Sequence, residues 1–173
     1  MSIVKRIYLV GYMGSGKTAI GKRVSFGTKL PFYDMDAEIV RKAGMTIPEI
    51  FEQYGEAFFR QLETEFLKEF RDEFCIISTG GGVAMREENR QIMRNTGLVF
   101  YLNAPFKDIW RRISTDKNRP IVQRSTRAEL EQLYNQRAPQ YLAASHIRVE
   151  TENRSLRDIT SYIIFQINRL RGE

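Results

Sequence analysis

The chain has 173 residues, 42% of them hydrophobic and 28% charged, which suits one globular core and excludes a disordered or fibrous polypeptide. Its longest apolar stretches, such as Leu98-Val99-Phe100-Tyr101-Leu102, are strand-sized and exclude a bilayer span, and the single cysteine, Cys75, excludes an internal disulfide. The formal charge of +6 is concentrated between Arg111 and Arg127, where six basic residues and Asp116 leave +5; without interleaved aromatics or a base-reading helix, this suits a polyphosphate better than a nucleic acid.

In chain order, Met1-Ser2-Ile3-Val4-Lys5-Arg6 runs straight into a strand pattern with no leader-cleavage region, so the cytoplasm is the expected compartment. Ile7-Tyr8-Leu9-Val10 predicts a strand ending in glycine, and a helix follows from about Lys17. Phe32-Tyr33 reads as a very short strand after Pro31. Thr46-Ile47-Pro48-Glu49 has the form of a capping box with proline in the first turn. Phe58, Leu62, Phe66 and Phe70 at helical spacing predict a helix from about Glu56 to Asp72. Next come a strand over Cys75–Ser78, a glycine triplet and a polar helix over Glu87–Arg94. Gly97 precedes a strand over Leu98–Leu102, and Pro105 opens another helix. A basic loop leads to a helix over Glu129–Tyr141, a strand near His146–Val149 and a last helix from about Leu156. Five strands alternating with helices predict a three-layer α/β fold, a parallel sheet covered on both faces. No linker divides residues 1–173. Cys75 reads as a core residue and the lone His146 as structural. No amphipathic stripe is left over to demand a partner, so a monomer is expected.

Gly11-Tyr12-Met13-Gly14-Ser15-Gly16-Lys17-Thr18 matches the Walker A pattern between a strand and a helix. Its glycines let successive backbone N–H groups face phosphate oxygens at the positive end of a helix. Gly14, Ser15, Gly16, Lys17, Thr18 and Ala19 are the nucleotide-binding candidates. Lys17 is expected to reach the β- and γ-phosphates, and Thr18 to ligate Mg²⁺. The motif by itself serves ATPases, GTPases and small-molecule kinases alike.

Asp34-Met35-Asp36 stands at the end of the second strand. In an extended segment both carboxylates face one cleft, one toward a hydrated Mg²⁺ and one toward an attacking hydroxyl. A helix N-cap acid beside a solvated neighbour fits the same residues. Arg60 and Glu63 fit a surface ion pair as well as a binding site. Phe51 and Phe59 fit either a core or the wall of a site.

The order of these motifs resembles the shikimate kinase family across nearly the whole chain. The resemblance rests on the Walker A loop, Asp34-x-Asp36, Gly55-Glu56-x-x-Phe59-Arg60-x-x-Glu63, Gly80-Gly81-Gly82, Asn118-Arg119-Pro120 and Arg137-Ala138-Pro139-x-Tyr141. It implies ATP and shikimate as substrates, Mg²⁺ as cofactor, and γ-phosphoryl transfer to the 3-hydroxyl. Arg60 and Arg137 then grip the shikimate carboxylate. Glu63 steadies Arg60, and Asp36 orients the attacked hydroxyl. Asp34 holds Mg²⁺ through water, and Gly80, Gly81 and Gly82 approach the substrate through backbone N–H groups. The basic segment, about 112–126, becomes a mobile lid; it brings Arg119 to the transferring phosphoryl group and Arg112 to the adenine. Residues 34–63 form the shikimate-binding helical region. Lys17, Asp36 and Arg119 are the catalytic candidates.

The nearest alternative is a related kinase acting on gluconate or a nucleoside monophosphate, which does not require the Asp-x-Asp pair and triple glycine together. A P-loop regulatory protein predicts nucleotide binding without acceptor-dependent turnover. Gly27 late in the first helix and Ile121-Val122 after Pro120, where leucines are commoner, depart from the family pattern.

Overall fold

The computed structural model describes residues 6–72 and 74–172; the expected absence of a leader falls partly on residues 1–5, outside that range. The middle strand of a five-stranded sheet is β1 (Arg6–Val10). Around it lie β2 (Phe32–Asp34), β3 (Cys75–Ser78), β4 (Gly97–Asn103) and β5 (Ile147–Glu150), in the order β2-β3-β1-β4-β5. Every pairing is parallel, with Tyr8 opposite both Ile77 and Val99. Parallel neighbours need crossovers, and helices supply them. They are α1 (Lys17–Thr28), α2 (Met35–Ala43), α3 (Ile47–Tyr54), α4 (Glu56–Glu69), α5 (Glu87–Thr96), α6 (Phe106–Ile113), α7 (Pro120–Arg124), α8 (Arg127–Ala144) and α9 (Leu156–Arg171).

Strand alternation assigns the two cores. Tyr8, Val10, Cys75, Ile77, Val99 and Tyr101 face the larger one. Ile7, Leu9, Ile76, Leu98, Phe100 and Leu102 meet Ile20 and Val24 of α1 and Ile159, Ile163 and Ile167 of α9 on the opposite side. Three layers result, as the sequence predicts. Because β1 lies between β3 and β4, the crevice beyond its carboxyl end is the switch point where open α/β sheets receive ligands.

The structure departs from the sequence reading in four places. First, α2 begins directly after Asp34, whose carboxylate accepts the Ala37 N–H at 3.2 Å as an N-cap. Asp34 and Asp36 therefore do not share the side of an extended segment; Asp36 stands in the first turn of α2. Second, α4 stops at Glu69 because Phe70 turns to extended backbone. Third, the buried face of α4 carries Phe59, Glu63, Thr64 and Leu67, while Phe58, Leu62, Phe66 and Phe70 line a groove of about 450 Å³ shared with α2 and α3. A glutamate on the buried face hid that face from the hydrophobic pattern. Fourth, the basic segment contains α7, started by Pro120 at its first position.

Three smaller points also resolve. A side chain at Gly27 would meet Ile164 Cδ1 at 2.6 Å, so this glycine lets α1 lie close to α9. His146 exchanges two bonds with Val99 at the start of β5: its backbone N–H donates to the Val99 carbonyl, and the Val99 N–H donates to its Nδ1. Burial pushes the Cys75 thiol up to about 12, consistent with an inert core residue.

Gly21 sets how closely α1 approaches the sheet, since a Cβ there would stand 2.5 Å from Phe32 Cε2 and 3.2 Å from Leu9 Cδ1. Gly21→Ala is expected to cost about 1–3 kcal/mol through overpacking. Chemical denaturation checks this; an unchanged midpoint counts against the packing account.

Candidate functional site

The phosphate loop leaves β1 through three glycines with positive φ: Gly11 at 154°, Gly14 at 75° and Gly16 at 98°. A side chain at Gly14 would also meet Ile113 Cγ2 at 2.6 Å, so the loop and α6 touch because no Cβ intervenes. Lys17 opens α1, and its Nζ folds back to donate to the Gly11 carbonyl at 2.6 Å and the Tyr12 carbonyl at 3.1 Å. Burial lowers its pKa to about 8; Asp36 and Asp34 pull the other way, while Arg119 and Arg137 add to the depression. Thr18 and Ala19 lie exposed on the first turn of α1. Ser15 is buried, with no hydrogen-bond partner for its hydroxyl oxygen among the described residues.

Asp36 faces this loop from α2. Burial raises its pKa, as does Asp34, against the opposing pull of Lys17, Arg60 and Arg119. Its Oδ1 is buried without a hydrogen-bond partner among the described residues. Gly80 explains how the carboxylate gets there: a Cβ on Gly80 would lie 2.8 Å from Asp36 Oδ1 and 3.0 Å from Glu63 Oε2. Two carboxylates and the glycine backbone thus meet at one point.

Arg60 and Glu63 come from α4, which starts afresh after Gly55 at φ 85°. Arg60 Nη1 donates to Glu63 Oε1 at 2.7 Å, and Nη2 reaches Glu56 at 3.3 Å. The Glu63 side chain is 0% exposed, so this is no surface pair. A side chain at Gly82 would collide with the Arg60 guanidinium. Gly81 lies against the phosphate loop, its Cβ position 3.9 Å from the Met13 nitrogen and 3.6 Å from Arg137 Nη1. Thr79 holds the triplet there by donating its hydroxyl to the Leu9 carbonyl at 2.8 Å.

The basic residues are placed as follows. Arg112 donates to the Gly14 carbonyl at 2.8 Å, reaching the loop itself. Arg119 pairs with Asp116 at 2.8 Å, and its charge still bears on Lys17 and Asp36. Arg137 lies half-buried on α8 beside the Tyr141 hydroxyl and within electrostatic reach of Glu63. Phe59 is buried, and Phe51 packs against it with ring centroids 5.2 Å apart. The candidates from six separate segments therefore gather at the carboxyl edge of the sheet.

Sequence reasoning assigned no role to three residues. Tyr141 donates to the Gly81 carbonyl at 2.6 Å, Asp116 restrains Arg119, and Tyr12 donates to the Leu130 carbonyl at 3.0 Å. Two left a trace, Tyr141 inside the Arg137 motif and Asp116 as the lone acid of the basic segment. Tyr12 left none, because its motif position accepts any residue. Among the described residues no group of three or more His, Cys, Asp or Glu side chains could hold a metal, and no helix is long and apolar enough to cross a membrane.

Against known proteins, a family model described as shikimate kinase matches residues 13–168. A shikimate kinase of Nitrosospira multiformis is 44% identical over 93% of this chain and 84% of its own length. The structure of a shikimate kinase from Acinetobacter baumannii in complex with shikimate superposes with a TM-score of 0.89 at 37% identity, covering 98% of this chain and 96% of the other. A gluconokinase from Sinorhizobium meliloti reaches a TM-score of 0.59 at 14% identity over 99% and 98% of the two chains, a likeness of fold alone.

The depressed Lys17 pKa has a measurable consequence. Near pH 8 the unliganded amine is about half protonated, and a bound polyphosphate favours the charged form, raising its pKa. Nucleotide binding is therefore expected to take up a fraction of a proton near pH 8 and almost none at pH 6.5, where the amine is already charged. Calorimetry in buffers of different ionisation enthalpy measures this; equal uptake at both pH values contradicts it.

Proposed function

The chain belongs to the shikimate kinase family, and from that membership we propose that it transfers the γ-phosphoryl group of ATP to the 3-hydroxyl of shikimate, giving shikimate 3-phosphate and ADP. The observation that carries this reading is the meeting of Asp36, Glu63-held Arg60 and the glycine triplet beside Lys17. A phosphate loop needs no such acceptor-side construction to bind nucleotide.

In this reading the loop from Gly14 to Ala19 takes the triphosphate, its backbone N–H groups and the α1 N-terminus facing the phosphate oxygens. Lys17 leaves the Gly11 and Tyr12 carbonyls to pair with β- and γ-oxygens. Arg60 and Arg137 hold the shikimate carboxylate, with Glu63 fixing the guanidinium plane of Arg60. The backbone of Gly80, Gly81 and Gly82 lines the acceptor, and Asp36 Oδ1 accepts a hydrogen bond from the ring hydroxyl that attacks. Burial raises the Asp36 pKa, so the carboxylate is a better proton acceptor there than in water. In-line transfer through a loose transition state then asks mainly for position and charge.

Residues 112–126 serve as the lid over the nucleotide. Arg112 lies toward the adenine. Arg119, exchanging Asp116 for the transferring group, offsets charge there. The donor set of the site is hard oxygen, the Thr18 hydroxyl with Asp34 nearby, and it fits Mg²⁺ held largely by phosphates and water. When bound, Mg²⁺ neutralises charge on the β- and γ-phosphates. We place the enzyme in the cytoplasm as a monomer of one kinase domain, with residues 34–63 as the acceptor-binding region and no nucleic-acid partner.

ADP release with Mg²⁺-ATP, compared among shikimate, gluconate, nucleoside monophosphates and no acceptor, tests the assignment. Release is expected only with shikimate; none from a folded, nucleotide-binding protein overturns it. Asp36→Asn is expected to lower kcat by about 10²–10⁴-fold with nucleotide affinity within about threefold. Near-normal turnover removes Asp36 from the mechanism. Arg137→Ala is expected to weaken shikimate binding about tenfold or more and to spare ATP binding. Equal loss for both ligands counts against its role.

A further inference from the structure

Tyr12 belongs to the phosphate loop, but its side chain leaves it. The residue is 1% exposed, and its hydroxyl donates to the Leu130 carbonyl in the first turn of α8 at 3.0 Å. Its ring meets Tyr134 of α8 edge-on, with centroids 5.5 Å apart and planes at 81°. Tyr134 in turn donates to the Ala104 carbonyl just beyond β4 at 2.7 Å. At its backbone end, the Tyr12 carbonyl receives both Lys17 Nζ and the Ser15 N–H at 3.1 Å. One rigid ring thus joins the atom holding Lys17 to the helix carrying Arg137.

Further along, α8 is pinned a second time, where Tyr141 donates to the Gly81 carbonyl. Arg137 lies between the two pins. A Phe ring at position 12 could fill the same space and make the same edge-on contact with Tyr134. The Leu130 carbonyl lies within α8, where the helix ladder already offers it a partner. Neither packing nor polar satisfaction of α8 calls for the hydroxyl. What it adds is a fixed spacing between loop and helix.

Lys17 supplies the moving part. To reach a phosphate, its ammonium must give up the Gly11 and Tyr12 carbonyls, which changes the load on the backbone of Tyr12. A tyrosine ring has no internal torsion between Cβ and the hydroxyl oxygen beyond χ2, so displacement at one end is passed to the other.

We propose that the Tyr12 hydroxyl is a coupling strut: nucleotide in the phosphate loop sets, through Tyr12 and α8, the position of Arg137 toward the acceptor carboxylate. Tyr12 is a positioning residue, and the role given to Arg137 rests on the shikimate reading above. Linkage requires the effect to be reciprocal, with acceptor strengthening nucleotide binding by the same factor.

The test compares wild type with Tyr12→Phe, and uses Tyr8→Phe as a control that removes a buried hydroxyl bonded to Thr96, away from the loop. Shikimate affinity is measured by calorimetry with and without saturating ADP. Wild type is expected to gain about fivefold or more from ADP. Tyr12→Phe should reduce that gain to under about twofold, and Tyr8→Phe should keep it. A gain unchanged in Tyr12→Phe, absent in wild type, or lost equally in Tyr8→Phe overturns the strut. Amide hydrogen exchange with ADP alone provides an arm that does not depend on the acceptor. Slowed exchange in α8 around Arg137 is expected in wild type and not in Tyr12→Phe; no α8 response in wild type overturns the proposal. Should wild type bind no shikimate, the substrate assignment falls, and the exchange arm still decides the coupling.

Discussion

The side of the site built from α4 and the glycine triplet depends on one buried carboxylate. Glu63 has no exposed side-chain surface, and one of its oxygens is committed to Arg60. Leaving that charge unpaired inside the protein would cost several kcal/mol, so Arg60 is held on its own helix by Glu63, three positions on. The other oxygen points at Gly80, close enough to exclude a side chain there. Arg60 in turn occupies the space over Gly82. The glycine triplet, the arginine and the helix phase of α4 are thus fixed together: moving any one leaves a charge unpaired or two groups overlapping.

Around that fixed point the charges do not cancel pairwise. Burial, with Arg119 and Arg137 beside it, holds the Lys17 amine down against the pull of Asp36 and Asp34, and burial, with Asp34 beside it, holds the Asp36 carboxyl up. The cluster lies at the carboxyl edge of the sheet, where the positive ends of helix dipoles favour the carboxylates and add to the positive potential around the cations. It also has a direction. Anionic ligands relieve the cations, and a hydroxyl donor satisfies the buried Asp36 oxygen. The donor and acceptor proposed above, one anionic and the other bearing hydroxyls and a carboxylate, meet both conditions.

Much of this was legible in the sequence, and for unequal reasons. The phosphate loop is contiguous, so its three positive-φ glycines and its lysine could be read as a single word. The sheet followed from apolar runs too short for anything else, and its two covered faces from the alternation of strands with helices. Where the reading failed, a tertiary fact intervened. Asp34-Met35-Asp36 could be read as a strand end or as a helix cap, and only the folded chain decides: the Asp34 carboxylate caps Ala37 and starts α2 at once. The fully buried face of α4 went unread because it carries Glu63. Tyr12 was silent because a hydrogen bond to a backbone carbonyl more than a hundred positions away leaves no pattern.

The two halves of the site also differ in how they bear change. Phosphate recognition uses backbone N–H groups, which any sequence supplies once glycine permits the curl. The motif therefore names no acceptor, and the likeness to a gluconokinase at 14% identity is one of fold alone. In the proposed reading, acceptor recognition uses side chains from α2, α4 and α8, each placed by a different contact: an N-cap, a buried ion pair, a tyrosine bond to Gly81. Specificity therefore resides where the chain has the least local redundancy. Substitutions in the scaffold of those three helices should alter the choice of acceptor before they alter the handling of nucleotide, because the phosphate loop is anchored to β1 and the acceptor groups are anchored to one another.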